Sequence, residues 1–147
     1  MIVEELIPWI DRTYPTLAQA ESRAVVGFSM GGAGAVRFSV LHPELFAAAA
    51  SMGGTAGGEV DAAAEKNAPA LRQRKVSFLL INGEKDSPKA FQVLGKTFTA
   101  AGVEHSILIY PNLEHNLGLY YELSFEKLMQ FLGAHLKNKS VESSPKP

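Results

Sequence analysis

One short run, residues 25–35, constrains the fold of this chain more than any other, and it reads VVGFSMGGAGA. Its apolar, β-branched start predicts a short buried strand, and the small residues after Ser29 predict the first turn of a helix. Gly27 and Gly31 flank the serine in a Gly-x-Ser-x-Gly turn. Such a turn needs small flanking residues because the strand and the helix nearly touch, and it exposes the serine hydroxyl. The run predicts a parallel α/β sheet with Ser29 as a candidate nucleophile.

Two later apolar runs are followed by the side chains that such a serine needs. Residues 76–81 read as a strand buried on both faces, and Asp86 lies in the turn after it. Residues 106–110 read as another strand, and the loop after it carries His115. Serine, acid and histidine in this order, each past the carboxyl end of a strand, predict a catalytic triad. Ser29 would be the nucleophile, His115 the general base, and Asp86 the residue that orients the histidine.

Other acids and histidines compete for two of these roles. Glu84 lies two residues before Asp86, and residues 86–88 also fit an ordinary turn that caps a helix. Only His115 follows the carboxyl end of a predicted strand. The remaining histidines fall at a helix end, at the start of a strand and within the last helix: His42, His105 and His135.

The segment 22–34 resembles the α/β-hydrolase superfamily, and more narrowly the esterase D, feruloyl-esterase and enterochelin-esterase group of bacterial carboxylesterases. Shorter matching pieces lie on both sides of it, at residues 6–10, 42–46, 83–86 and 114–116. The resemblance covers roughly residues 1–136. It implies a truncated α/β-hydrolase fold in residues 1–137, with a mostly parallel sheet of about four strands flanked by helices. The polar tail, residues 138–147, is expected to be disordered.

The same resemblance implies a serine carboxylesterase that hydrolyses small, short-chain acyl esters through an acyl-serine intermediate. The backbone N–H of Met30 would serve as one oxyanion-hole donor. Phe28, Met52 and Gly53 are predicted to line the substrate pocket. Feruloyl esters, acetyl-sugar esters and thioesters remain alternative substrates, and no cofactor is required.

Members of this family carry four more strands, with their helices, before the point that Met1 resembles. Among the parts without a match is the loop that donates the second oxyanion-hole N–H. We therefore expect about half of an α/β-hydrolase, either a natural minimal enzyme or a truncated one. The missing loop also favours a different class of protein, a non-catalytic binding or oligomerisation module that retains the triad. A third alternative is a fragment that does not fold stably.

The missing strands lead to a prediction about the oligomeric state. In the family's strand order, the strand over residues 23–28 pairs on one side with a strand that this chain lacks, so its edge would be bare. A bare apolar edge strand favours pairing with another chain. The sequence therefore predicts a homodimer or higher homo-oligomer, joined through this edge or by exchange of the N-terminal helix.

Bulk properties exclude several classes of function. The 147 residues carry a formal net charge of −1 and no cysteine, which gives no support for nucleic-acid binding, disulfides or thiolate metal sites. No histidine pair has the spacing of a zinc-protease site. The N-terminus lacks the features of a signal peptide, and no apolar run is long enough to span a bilayer. We expect a cytoplasmic protein without a metal, acting on a small-molecule ester.

Periodicity and turn residues predict the remaining elements. Residue 87 is expected to cap a helix that has Pro88 at its first position and ends at Gly102. Leu41 and Leu123 are expected among the buried residues of their helices. Residues 53–75 are expected to form a loop with a short helix. The predicted strands are 23–28, 46–51, 76–81 and 104–110, and the predicted helices are 2–14, 30–41, 88–101 and 119–137.

Overall fold

Helices and strands alternate along the computed structural model, which describes residues 1–54 and 57–137. The predicted disorder of residues 138–147 concerns a segment outside the described part. Within that part, no helix combines the length and hydropathy needed to cross a bilayer. The strands are β1 (Ala24–Phe28), β2 (Ala48–Met52), β3 (Ser77–Gly83) and β4 (His105–Tyr110), and the helices are α1 (Ile7–Thr13), α2 (Met30–Leu41), α3 (Gly58–Arg74), α4 (Lys89–Ala101) and α5 (Leu117–His135).

The four strands form one sheet in the order β1-β2-β3-β4, and every neighbouring pair is parallel. This confirms the predicted fold class. In the register, Phe28 lies beside Met52, and Met52 lies beside Ile81. The carboxyl ends of the strands therefore meet at one edge of the sheet, where loops of an open α/β fold form ligand sites.

The two faces of the sheet are covered unequally. On one face, α2, α3 and α4 enclose a core that includes Phe78, Phe91 and Phe98. The other face is packed mainly by α5, around Met52 and Tyr120. Because β3 is buried along its whole length, both cores depend on its alternating side chains.

The segment predicted as a loop with a short helix is instead the 17-residue helix α3. The prediction was wrong because the glycine, alanine and proline content of this segment obscures its helical periodicity. Val60, Ala64, Ala68 and Leu71 recur at helical spacing and are buried. Pro69 is tolerated inside the helix, where its ring lies on the exposed side.

Three smaller expectations also differ from the structure. Helix α4 begins at Lys89, and its N-capping residue is Pro88 rather than Ser87. Ser87 has a φ of 53°, a left-handed backbone conformation that is uncommon for a residue with a side chain. Leu41 and Leu123, expected in the core, are exposed. Helix α4 ends at a left-handed Gly102, as predicted.

Strand β1 lies at the edge of the sheet and pairs only with β2 among residues 1–54 and 57–137. Val26, in the middle of this strand, is 37% exposed. By strand alternation it faces the same side as Phe28, which is the side of α5. An apolar strip of the sheet is therefore uncovered beside α5.

The N-terminal segment packs weakly against this edge. The predicted helix over residues 2–14 is a π-helical turn (Ile2–Leu6) followed by α1, with Pro8 in the first turn of α1. Neither piece has a buried residue. A half-buried ion pair between Arg23 and Asp11, 2.7 Å long, ties α1 to the start of β1.

Candidate active site

Ser29 lies at the turn from β1 into α2, in a strained backbone conformation with φ 55° and ψ −122°. Positive φ is uncommon for a residue with a side chain, and such strain persists only where neighbouring contacts impose it. Here the Ser29 N–H donates to the carbonyl of Met52 at 2.8 Å, and its carbonyl accepts from Ala33 at 3.0 Å. These bonds hold Ser29 at the carboxyl edge of the sheet.

The two glycines of the motif have different surroundings. A Cβ on Gly27 would overlap the carbonyl group of Gly31, so only glycine fits there. A Cβ on Gly31 would meet no atom within 4 Å among the residues that the structure describes. The expectation that both positions require a small residue is therefore wrong for Gly31. The second position that has no room for a side chain is Gly32, where a Cβ would lie 2.5 Å from Ser51 Oγ.

Ser29, His115 and Asp86 form one hydrogen-bonded chain across three loops. His115 Nε2 lies 2.9 Å from Ser29 Oγ, and His115 Nδ1 lies 2.8 Å from Asp86 Oδ2. An ionised carboxylate can only accept, so Nδ1 carries the proton and Nε2 is free to accept from the serine. This is the tautomer that a general base needs.

The rival acid Glu84 has a different contact. Its carboxylate accepts from the backbone N–H of Asn112 at 3.2 Å. The N–H of Lys85 donates to the carbonyl of Leu113 at 3.1 Å, and a Cβ on Gly83 would overlap that same carbonyl. The loop after β3 is thus bonded to the loop after β4, which keeps the acid and the histidine in register.

The three predicted pocket residues lie close to the hydrogen-bonded chain of Ser29, His115 and Asp86. The Phe28 ring stacks on the His115 ring, with centroids 4.7 Å apart and an interplanar angle of 29°. Met52 is fully buried on the α5 side of the sheet. Gly53 is buried with φ 55°, and a Cβ there would lie 2.9 Å from Asp86 Oδ2. Gly53 therefore borders Asp86, and a pocket role for Phe28, Met52 and Gly53 stays a prediction.

Met30 begins helix α2 directly after Ser29. The first N–H groups of a helix have no acceptor within the helix, and the helix dipole makes this end partly positive. A negatively charged oxygen beside Ser29 would be stabilised by these free N–H groups and by the positive end of the helix dipole. The Met30 side chain is 88% exposed, so it forms part of the open surface around the site.

Tyr120 is a further residue at the site that was not predicted from the sequence, and it lies on the buried side of α5. Its hydroxyl donates to Asp86 Oδ2 at 2.6 Å and accepts from the Gly83 N–H at 2.7 Å. Burial first, and then the hydrogen bond to Asp86, raise the pKa of Tyr120 well above its ordinary value of 10.0. The available signal was the helical spacing of Tyr120, Ser124 and Leu128, which places all three on one buried face.

No group of three or more histidine, cysteine or acidic side chains within the described ranges could hold a metal ion.

Comparison with known proteins agrees with this fold. The family model "Putative esterase" matches residues 1–114. An esterase of Mycobacterium tuberculosis, Rv1288, is 43% identical over 54 residues, which are 37% of this chain and 12% of that protein. An endo-1,4-beta-xylanase/feruloyl esterase of Xylanibacter ruminicola is 28% identical over 133 residues, which are 90% of this chain and 17% of that protein.

Among solved structures, the substrate-bound fluorophosphonate-binding serine hydrolase F of Staphylococcus aureus matches with a TM-score of 0.74 and 12% identity. The match covers 89% of this chain and 62% of that one. The chain thus spans a small part of its curated relatives and less than two thirds of this hydrolase. Since the family model extends from the first residue to the residue before His115, this chain belongs to the esterase family and has its α/β-hydrolase fold.

Proposed function

We propose that this chain hydrolyses carboxylic esters through an acyl-serine intermediate. The observation that carries the proposal is the hydrogen-bonded chain from Ser29 Oγ through His115 to Asp86 Oδ2. A structural role for these residues would not require a strained serine, a histidine in the base tautomer and an acid to meet at one edge of the sheet. Membership of the esterase family supports the same chemistry.

In the acylation half-reaction, Ser29 Oγ attacks the ester carbonyl carbon as His115 Nε2 takes the hydroxyl proton. The carbonyl π electrons move onto oxygen, and the Met30 N–H donates to this developing oxyanion. The tetrahedral intermediate then collapses. The C–O bond to the alcohol breaks, and His115 returns its proton to the leaving oxygen. The product of this half-reaction is an ester of Ser29.

In the deacylation half-reaction, His115 removes a proton from a water molecule that attacks the acyl-serine carbonyl. The second tetrahedral intermediate releases the acid and restores Ser29 Oγ with the proton from His115. Asp86 stabilises the imidazolium in both halves. Loss of one oxyanion donor typically lowers kcat by about 10²–10³-fold, so a site with Met30 as its single donor would be slow but active.

Small esters with short acyl chains fit the open surroundings of the site best. His115 is 46% exposed and the neighbouring Met30 side chain is in solvent, so a substrate can approach without a deep channel. A feruloyl ester is the second candidate. It is favoured by the similarity, along 90% of this chain, to the Xylanibacter ruminicola protein whose name includes feruloyl esterase.

The experiment that tests the proposal is intact-mass analysis after treatment with a fluorophosphonate probe. Such a probe phosphonylates a serine that is activated by its base and has a donor for the phosphoryl oxygen. We expect one adduct on the wild-type protein and none on Ser29→Ala. Ser87→Ala, which removes an exposed hydroxyl next to Asp86, is the matched control and should be labelled like the wild type.

Absence of an adduct on folded wild-type protein would contradict the esterase proposal and favour a non-catalytic binding module. If labelling succeeds, initial rates on acetyl, butyryl, feruloyl and acetyl-sugar esters and on a thioester rank the substrate classes. A clear preference for the acetyl ester supports the first candidate, and a preference for the feruloyl ester supports the second.

We also propose that two copies associate through the uncovered strip beside β1. The backbone groups on the outer edge of β1 and the exposed Val26 offer a self-complementary strand edge. On the same face of the sheet, α5 exposes an apolar stripe formed by Tyr121, Phe125 and Met129, each between 45% and 56% exposed. Residues four apart lie on one side of a helix, so the stripe is continuous.

Light scattering during size-exclusion chromatography tests this association. We expect a dimer for the wild type at micromolar concentration and a monomer for Val26→Lys, because a charge on an edge strand blocks pairing. Val93→Lys places the same charge on the exposed side of α4 and should stay dimeric. A wild-type monomer, or equal dissociation of both variants, would contradict the proposed interface.

A further inference from the structure

Tyr120 connects the last helix to the acid of the candidate triad. Its ring is fully buried, and its hydroxyl oxygen lies 2.6 Å from Asp86 Oδ2. The same carboxylate oxygen lies 2.8 Å from His115 Nδ1. Asp86 Oδ2 therefore accepts two hydrogen bonds, one from His115 Nδ1 and one from the Tyr120 hydroxyl of α5.

The phenol has one proton, and its neighbours determine where that proton goes. The Gly83 N–H donates to the phenol oxygen at 2.7 Å, and Asn82 Oδ1 lies 3.0 Å from it. A hydrogen bond to an ionised carboxylate is stronger than one to a neutral amide. The proton therefore points to Asp86, while the Gly83 N–H, which also donates to Asn82 Oδ1 at 2.8 Å, donates to a lone pair of the phenol oxygen.

We propose that Tyr120 is a positioning residue, whose hydroxyl holds the Asp86 carboxylate in the rotation at which Oδ2 accepts from His115. The loop that carries Asp86 does not supply this restraint on its own. Asp86 N donates to Gly83 O at 3.0 Å, which fixes the backbone, but the carboxylate can still turn about its own bond. A fixed acceptor selects the Nδ1–H tautomer of His115.

The surrounding packing keeps the hydroxyl in place. The Tyr120 ring meets the Phe28 ring edge-on, with centroids 5.3 Å apart, and Phe28 stacks on His115. Because burial raises the pKa of Tyr120, its hydroxyl keeps its proton in alkaline solution and continues to donate. Tyr120 of α5 thus restrains Asp86 directly, through its hydroxyl, and His115 indirectly, through the Phe28 ring.

This role deepens the proposed esterase function and rests on it, because the tautomer matters only if His115 is the base. Tyr120→Phe tests it by removing the hydroxyl and leaving the ring. We expect kcat to fall by about 10- to 100-fold with KM changed less than about twofold, as for loss of a hydrogen bond to a charged group. Nitrogen-15 NMR of labelled histidine should show a shift of His115 from the Nδ1–H toward the Nε2–H tautomer.

Tyr110→Phe is the matched control. The Tyr110 hydroxyl donates to the Leu123 carbonyl at 2.9 Å, so it also joins the sheet to α5 but does not contact Asp86. We expect this variant to keep the wild-type kcat and tautomer. Equal effects of the two substitutions would show that Tyr120 only anchors the helix, and an unchanged His115 tautomer in Tyr120→Phe would likewise overturn the proposal. The NMR comparison needs no turnover, so a failure of the esterase proposal is separately visible as wild-type protein without activity.

Discussion

Replacing His115 by alanine is expected to lower kcat/KM for ester hydrolysis by about 10⁴–10⁶-fold, the range seen when the base of a serine triad is removed. Nε2 of this ring lies 2.9 Å from Ser29 Oγ, and without it the serine keeps its proton. Because His115 is in an exposed loop, the fold should persist, with an unchanged far-UV circular dichroism spectrum. Initial rates on a short-chain ester measure the loss.

Two further measurements distinguish loss of the general base from a non-specific loss of activity. The His115→Ala cavity is bounded by the flat ring of Phe28, so added imidazole should enter it and restore part of the activity. His42→Ala, which removes a partly exposed ring paired with Glu44, should leave the rate unchanged. Full activity of His115→Ala would eliminate the triad mechanism, and an equal loss in His42→Ala would show that the effect is not specific to the base.

The second large effect is expected on folding, at Gly27. A methyl group at this position overlaps the carbonyl of Gly31, which belongs to the first turn of α2 and cannot move without breaking the turn around Ser29. Gly27→Ala should therefore destabilise the protein by more than about 3 kcal/mol, at or above the usual cost of overpacking. Since domains are stable by only about 5–15 kcal/mol, much of the protein should unfold at modest urea concentration.

Gly31→Ala is the matched control in the same motif. The added methyl group meets no atom within 4 Å in residues 1–54 and 57–137, and alanine favours helix over glycine by up to about 1 kcal/mol. We expect unchanged or slightly higher stability in urea-induced unfolding followed by circular dichroism. If Gly27→Ala and Gly31→Ala change the stability equally, the close strand–helix contact at Gly27 is not the reason why the motif requires glycine there.

Features encoded by neighbouring residues were predictable. The order of strand, serine turn and small-residue helix over residues 25–35 predicted both the parallel sheet and the position of Ser29. Each strand that precedes an acid or a histidine was visible as an apolar run, because a strand in a parallel sheet is buried on both faces. The same local reasoning explains the correct prediction of Gly102 as the end of α4.

Features that depend on contacts distant in sequence were not predictable. Tyr120 contacts Asp86 across 34 positions of sequence, and nothing in its neighbours marks that contact. Met52 ends β2, and only the packing of α5 on its side of the sheet shows that its side chain is fully buried. At α3 composition is a poor guide, since Ala64 and Ala68 recur at helical spacing and are buried in the same core as Val60 and Leu71.

By itself, the sequence determined the fold class and the three residues that could act together. Strand burial, turn geometry and chain order are local properties, and they are sufficient for those conclusions. Only the tertiary structure decided between Glu84 and Asp86 as the partner of His115, distinguished Gly27 from Gly31, and brought Tyr120 to the acid. These choices depend on distances of a few ångströms between segments far apart in the chain, and packing of the whole sheet sets those distances.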